Sequence, residues 1–168
     1  METPKYFTPE NWWRICEGLG VTIIRPTFAY LDLLSRYKEP NRDFHNAAYI
    51  DHCFQLWEEH RSAFNFDNDW YNAGFALAYH RAVCLPSQED NELENVQSAE
   101  RMWQMLGLDE VMFGIPRLMI EELSQSTASW PGSRLVSDIV LAVTYGGDWE
   151  ACRKNSRRIR QEAKNVPD

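Results

Sequence analysis

The sequence predicts an all-α fold, a single compact bundle of about seven helices, on three observations. Apolar residues recur at i, i+3, i+4 and i+7 through most of the chain. Caps and breakers fall at the spacing of globular helices, and strictly alternating stretches are few. The 168 residues suffice for one domain, 1–168, with no internal repeat or low-complexity linker to divide it. A chain of that size buries roughly two thirds of its unfolded surface, enough for a core.

The elements follow in order. Thr8 caps a first helix with Pro9 at its first position, ending near Gly18 or Gly20. Pro26 opens a second helix through Tyr37, with Phe28, Leu31, Leu34 and Tyr30 as its expected apolar stripe. Pro40 disfavours helix at Glu39 and ends it. A third helix, from about Asn46 to Arg61, carries Ala47, Ile50, Cys53, Phe54 and Trp57 on one face. A fourth runs from about Asp69 to Val83 with Trp70, Ala73, Leu77 and His80 on its shared face, and Gly74 among alanines implies a close helix approach. Leu85-Pro86-Ser87 breaks the chain again. A fifth helix spans about Asn91 to Leu106, and Asp109–Ser126 reads as a helix kinked at Pro116 or as two short ones. Ser124–Ser133 reads as a loop, Arg134–Tyr145 as a helix or, second, a strand, and Asp148 caps a last helix to about Lys164.

Composition narrows the partners. A net charge of -8 disfavours an extended nucleic-acid surface, which needs a concentrated basic field. It leaves room for a small anion held by a few arginines. Basic residues gather on the last helix (Arg153, Lys154, Arg157, Arg158, Arg160, Lys164), and acidic ones at Glu89, Asp90, Glu92 and Glu94; solvated faces explain both. Cys16, Cys53, Cys84 and Cys152 are widely separated, without the pair spacing of a zinc site or a disulfide framework, so reduced thiols are expected. The first residues lack a signal-peptide pattern, and no run approaches the roughly 18 apolar residues of a membrane span. The expectation is a cytoplasmic, unanchored protein.

Three segments carry a resemblance: Tyr37-Lys38-Glu39-Pro40-Asn41-Arg42-Asp43-Phe44-His45-Asn46, Ala76-Leu77-Ala78-Tyr79-His80-Arg81-Ala82-Val83, and Ser137-Asp138-Ile139-Val140-Leu141-Ala142-Val143. In this order and rough spacing they resemble predicted metal-dependent phosphohydrolases of the HD-domain superfamily. The resemblance runs from about Trp12 to Asp168 and implies an HD-domain-like helical bundle. In such a site, imidazoles and carboxylates from separate helices hold a divalent cation that activates water against a phosphoryl group. Against that pattern the second histidine is replaced by Tyr49, the aspartate of the His-Asp pair by Arg81, and a late carboxylate by Val140. His45, His80 and Asp138 remain as catalytic remnants, and against the resemblance the domain is expected to be C-terminally short.

Arg81 changes the local charge by two units and cannot lose its proton to become a ligand. At around 4 Å its repulsion of a dication costs several kcal/mol even at an effective dielectric near 20. No metal cofactor is therefore expected, whereas a guanidinium fork suits phosphate oxygens. The expected ligand site is Arg42, His45, Tyr49, His80, Arg81 and Asp138, holding a phosphorylated, nucleotide-like small molecule. Sequestration of a signalling nucleotide, as viral counter-defence proteins perform it in a host cytoplasm, is one form of that function. Each residue also has a plainer reading. His45 could cap the third helix, Arg81 could pair with Asp138 or Asp51, Tyr49 could face the core, and His52 and His60 could lie on the surface. Two other functions stay open. One is a hydrolase using a divalent metal on His45, His80 and Asp138 with His52 or Asp51; the other is an interaction module, with a homodimer covering exposed apolar surface.

Overall fold

A computed structural model describes residues 3–22, 26–84, 91–125 and 128–163. Among them are eight α-helices: α1 Pro9–Gly18, α2 Pro26–Tyr37, α3 Ala47–Glu59, α4 Asp67–Tyr79, α5 Asn91–Met105, α6 Gly114–Gln125, α7 Pro131–Tyr145 and α8 Trp149–Glu162. Short 3₁₀ turns, Arg61–Ala63 and Glu110–Phe113, follow α3 and precede α6, and no strand occurs among the described residues. The all-α class expected from periodicity is the class observed. Leu85-Pro86-Ser87, the acidic pair Glu89 and Asp90, and the chain from Lys164 onward lie outside the described residues.

The caps act where the sequence puts them. Thr8 accepts from the Asn11 amide, Asn46 from Ala48 and Tyr49, and Asp148 from Ala151. Pro116 does not kink a helix. It falls in the first turn of α6, where the missing N–H has no intrahelical acceptor to lose. Residues 134–145 are helical, and α7 begins earlier, with Pro131 in its first turn.

The bundle is built around α4, which packs against α1, α3, α5, α6 and α7. Every residue from Asn72 to His80 is buried, so α4 has no solvated face along this stretch. A helix apolar all round belongs inside such a ring of neighbours. The approach is closest at Gly74. A Cβ there would lie 2.7 Å from Ile15 Cδ1 and 2.8 Å from Trp57 Cζ2.

At the outer end of α4, Trp57 and Trp70 stack with ring centroids 3.9 Å apart. Each indole N–H donates to the other residue's carbonyl, at 2.9 and 3.2 Å. Arg14 lies over both rings and pairs with Glu58, while Arg61 covers Trp70. These contacts join α1, α3 and α4 and place much of the tryptophan content in packing.

The apolar stripe of α2 is a correction. Ala29, Tyr30, Leu33 and Tyr37 face the core, whereas Phe28 and Leu31 are 62% and 56% exposed. Two interleaved i, i+3 series run along this helix, and the Tyr30–Leu33–Tyr37 series is the one held. Its phenols give polar anchors: Tyr30 donates to the Phe7 carbonyl and Tyr37 to that of Ala78.

Gly74→Ala should lower stability by roughly 1–3 kcal/mol, because Ile15 and Trp57 must shift to admit the methyl group. Chemical denaturation of the two proteins measures it.

Candidate functional site

Three pieces of chain converge at the C-terminal end of α4: the α2–α3 connection, residues 80–84, and the end of α8. The turn after Tyr37 places Arg42 in the interior. Its Nη1 donates to the carbonyls of Arg81 (2.6 Å) and His45 (3.2 Å), its Nη2 to that of Ala82 (2.7 Å), and its Nε to Glu39 (3.2 Å). The guanidinium thus binds carbonyls of the turn that follows α4, together with that of His45 before α3. Little of the fork remains for an external anion. Arg42 is a structural tie, and its expected place among ligand-binding groups is not borne by this geometry.

Asn95 of α5 performs the matching task one residue further on. Its Oδ1 accepts from the Val83 amide at 2.7 Å and its Nδ2 donates to the Val83 carbonyl at 3.1 Å. Ser98, buried one turn along, faces the same interior.

Tyr49 and His80 are both buried and bonded to each other, phenol oxygen to Nε2, at 2.8 Å. His80 Nδ1 sits 2.7 Å from the Leu77 carbonyl, which can only accept, so Nδ1 carries the proton and Nε2 accepts from Tyr49. Burial, with the Arg81 charge adding to it, pushes the His80 imidazole down to about 3. It is neutral at physiological pH. Burial likewise holds the Tyr49 phenol well above its usual range. The pair is internally satisfied and faces the core.

Arg81 is different. It is half-buried, and no hydrogen bond or ion pair joins its guanidinium to a described residue. The expected alternative pairing with Asp138 or Asp51 is not formed. Asp51 instead accepts from the Tyr6 and Phe7 amides at 2.7 and 2.8 Å. With His80, Glu92, Ile120, Leu123 and Val140, Arg81 lines a crevice of about 20 Å³, space for about one water.

His45 precedes the cap; Asn46, not His45, closes α3. The His45 Nδ1 lies 2.6 Å from a Glu162 carboxylate oxygen, and its backbone amide donates to the same carboxylate at 3.2 Å. Burial lowers the His45 imidazole more than the Glu162 hydrogen bond raises it. The contact is therefore a neutral imidazole N–H donating to a buried carboxylate, a weaker bond than an ion pair. Cys84 stands close by, its thiol pushed up by burial and then by Glu162.

Asp138 is not brought to this end. It is exposed and lines a separate 270 Å³ groove with Leu56, His60, Phe64 and Leu135, whereas Val140, two residues along α7, reaches the His80–Arg81 crevice. His52 and His60 are exposed, as expected of surface residues. Of the six expected ligand residues, Tyr49, His80 and Arg81 are contiguous with His45 beside them, Arg42 lies beneath, and Asp138 is apart. Cys84 and Glu162 were not singled out by sequence reading. Neither stands in a spaced motif, and Glu162 is 117 residues from His45.

A groove of about 740 Å³ is next to this site. Lys5, Tyr6, Lys38, Arg42, Asn46 and His52 are among its lining residues. Compared with known proteins, the chain matches no protein-family model, no curated protein and no solved structure. No helix among the described residues is long and apolar enough to cross a membrane.

Two outcomes follow. Because unfolded His80 takes up a proton near its ordinary value of about 6.5 and the folded one does so only at about 3, stability should fall as pH drops below 6.5. A fall to pH 5 costs on the order of 2 kcal/mol from this residue alone. Denaturant midpoints against pH should show that slope, and His80→Gln should flatten it. Separately, Arg42→Met leaves the Arg81 and Ala82 carbonyls buried without donors, at about 2–4 kcal/mol. A variant as stable as the parent would refute the tie.

Proposed function

We propose that this chain is a binding domain, resembling the HD superfamily, that holds a small phosphorylated, nucleotide-like molecule without hydrolysing it, with Arg81 as the phosphate anchor. The observation that carries this reading is the Arg81 guanidinium, half-buried and without a bond to a described residue. Other arginines near this end are engaged: Arg42 with carbonyls, Arg158 with the Asp43 carbonyl and the Phe44 ring. A planar fork held in a partly desolvated place gives charge-assisted, bidentate recognition of phosphate.

The residues around Arg81 favour binding over hydrolysis. Tyr49, His80, Arg81 and Val140 occupy the positions where the resemblance calls for metal ligands, and they do meet at one end of α4. Among these four only His80 is of ligand type, and its Nε2 lone pair is taken by Tyr49. His45, the other histidine of the pattern, gives its Nδ1 to Glu162. Asp138, a proposed remnant, lines another groove. The crevice holds about one water, so a phosphate would meet Arg81 at its mouth. The rest of the molecule would lie outside, towards His45.

Calorimetry of the full chain against nucleotides and cyclic oligonucleotides, with chelator present throughout, tests the proposal. Binding is expected with ligand recovered intact, and Arg81→Ala should weaken it by roughly ten- to a hundredfold. Absence of heat with every ligand, or equal affinity of Arg81→Ala, would sink the reading. A dephosphorylated product in a parallel incubation with manganese, cobalt or nickel in place of the chelator would replace it with the hydrolase.

A further inference from the structure

His45 also belongs to a second constellation, whose other members, Cys84 and Glu162, the Arg81 reading does not use. One of its ring nitrogens, the Cys84 sulfur and a Glu162 carboxylate oxygen all lie within 4.8 Å of one another. The three come from distant parts of the chain: the connection before α3, the segment after α4, and the last turn of α8. Each is held. Phe44 and Tyr49 pack edge-on against the His45 ring at 4.9 and 5.0 Å. Asn95 ties Val83, the neighbour of Cys84, through both of its backbone groups. Glu162 is 6% exposed, with both its carboxylate oxygens directed at His45.

We propose that His45, Cys84 and Glu162 form a site for one zinc-class divalent cation, distinct from the Tyr49–His80–Arg81 positions. The donor set is one nitrogen, one sulfur and one oxygen, the mixture that tetrahedral zinc accepts and that magnesium and calcium do not. Zinc bond lengths of about 2.0–2.3 Å put tetrahedral ligand atoms about 3.5 Å apart. The present spread of at most 4.8 Å closes to that by side-chain movement of about 1 Å.

Charge and access also agree. Entry of the cation displaces the Cys84 thiol proton to solvent, forming a metal–sulfur bond. Binding through His45 Nδ1 moves the proton shared with Glu162 to Nε2, which leaves the imidazole neutral. The thiolate and the Glu162 carboxylate then cancel the two positive charges. This compensation is missing among Tyr49, His80 and Val140, where Arg81 would face a dication unopposed. His45 and Cys84 are half-buried, which leaves a route for the ion and a fourth position for water or an anion. A bound cation would tie the end of α8 to the segment before α3 and the segment after α4.

The test uses the full chain, stripped with chelator and returned to phosphate-free buffer, with metal alone as the probe. Cobalt(II) should bind at one equivalent with a sulfur-to-metal charge-transfer band in the near ultraviolet, and zinc should displace it. Zinc should protect Cys84 of the unaltered protein from maleimide, as read by peptide mass. Cys84→Ser should remove the band and weaken zinc by at least about tenfold, while Cys152→Ser keeps both. A cobalt complex without the band, a band that survives Cys84→Ser, or labelling of Cys84 unchanged by zinc overturns the proposal. The protection measurement needs no variant, so a Cys84→Ser protein that fails to fold leaves the test intact. Because nucleotide and phosphate are absent here and metal is absent from the calorimetry, failure of either proposal is read separately from the other.

Discussion

A helix with no solvated face must have the carbonyls at its end bound by something other than water, and the C-terminal end of α4 meets that demand with side chains from three directions. Tyr37 donates to Ala78, Arg42 to Arg81 and Ala82, and Asn95 brackets Val83. His80 turns its own Nδ1–H back to Leu77. Each bond is ordinary in strength. Together they are obligatory, because a buried carbonyl without a donor loses the hydration it had in the unfolded chain. The path of the α2–α3 connection and the position of α5 both follow from this need.

The same need shapes the candidate site. Arg42 and Tyr49 have the chemistry of ligand-binding groups, yet their donors are directed inward, to carbonyls and to His80. Arg81 lies on the outer side of the same turn, so its carbonyl is held while its guanidinium is not. The proposed anion anchor rests on this division. The Tyr49–His80 bond links α3 to the end of α4 through two neutral groups. A polar contact of this kind keeps α3 and α4 in register without any ion.

Glu162 extends the arrangement to the last helix. A buried carboxylate facing a neutral imidazole is held by two hydrogen bonds from one residue, through its amide and its ring. It brings one negative charge to a place where Arg42 and Arg81 supply two positive ones, whose fields also reach His45 and Cys84. Cys84 adds a polarisable donor atom at the edge of this patch. Phosphate at Arg81 and a cation at His45, Cys84 and Glu162 would be neighbours of opposite charge.

The local elements could be read from residue order because they depend on neighbours in the chain. Thr8, Asn46 and Asp148 cap helices by reaching amides two or three residues away, and the α3 face from Ala47 to Trp57 follows from a period of 3.6. Where two apolar series compete, as Phe28–Leu31 and Tyr30–Leu33 do on α2, periodicity cannot choose; the anchoring of Tyr30 and Tyr37 to carbonyls of distant segments chooses. The residues at 42, 45, 49, 80 and 81 were brought together by the resemblance of their segments to the HD-domain pattern, not by periodicity. Which donors face in and which face out was settled by the unpaired carbonyls of α4. That Val140 rather than Asp138 reaches the crevice, and that Glu162 meets His45 across 117 residues, came from helix packing alone, since contacts at such separation leave no trace in local pattern.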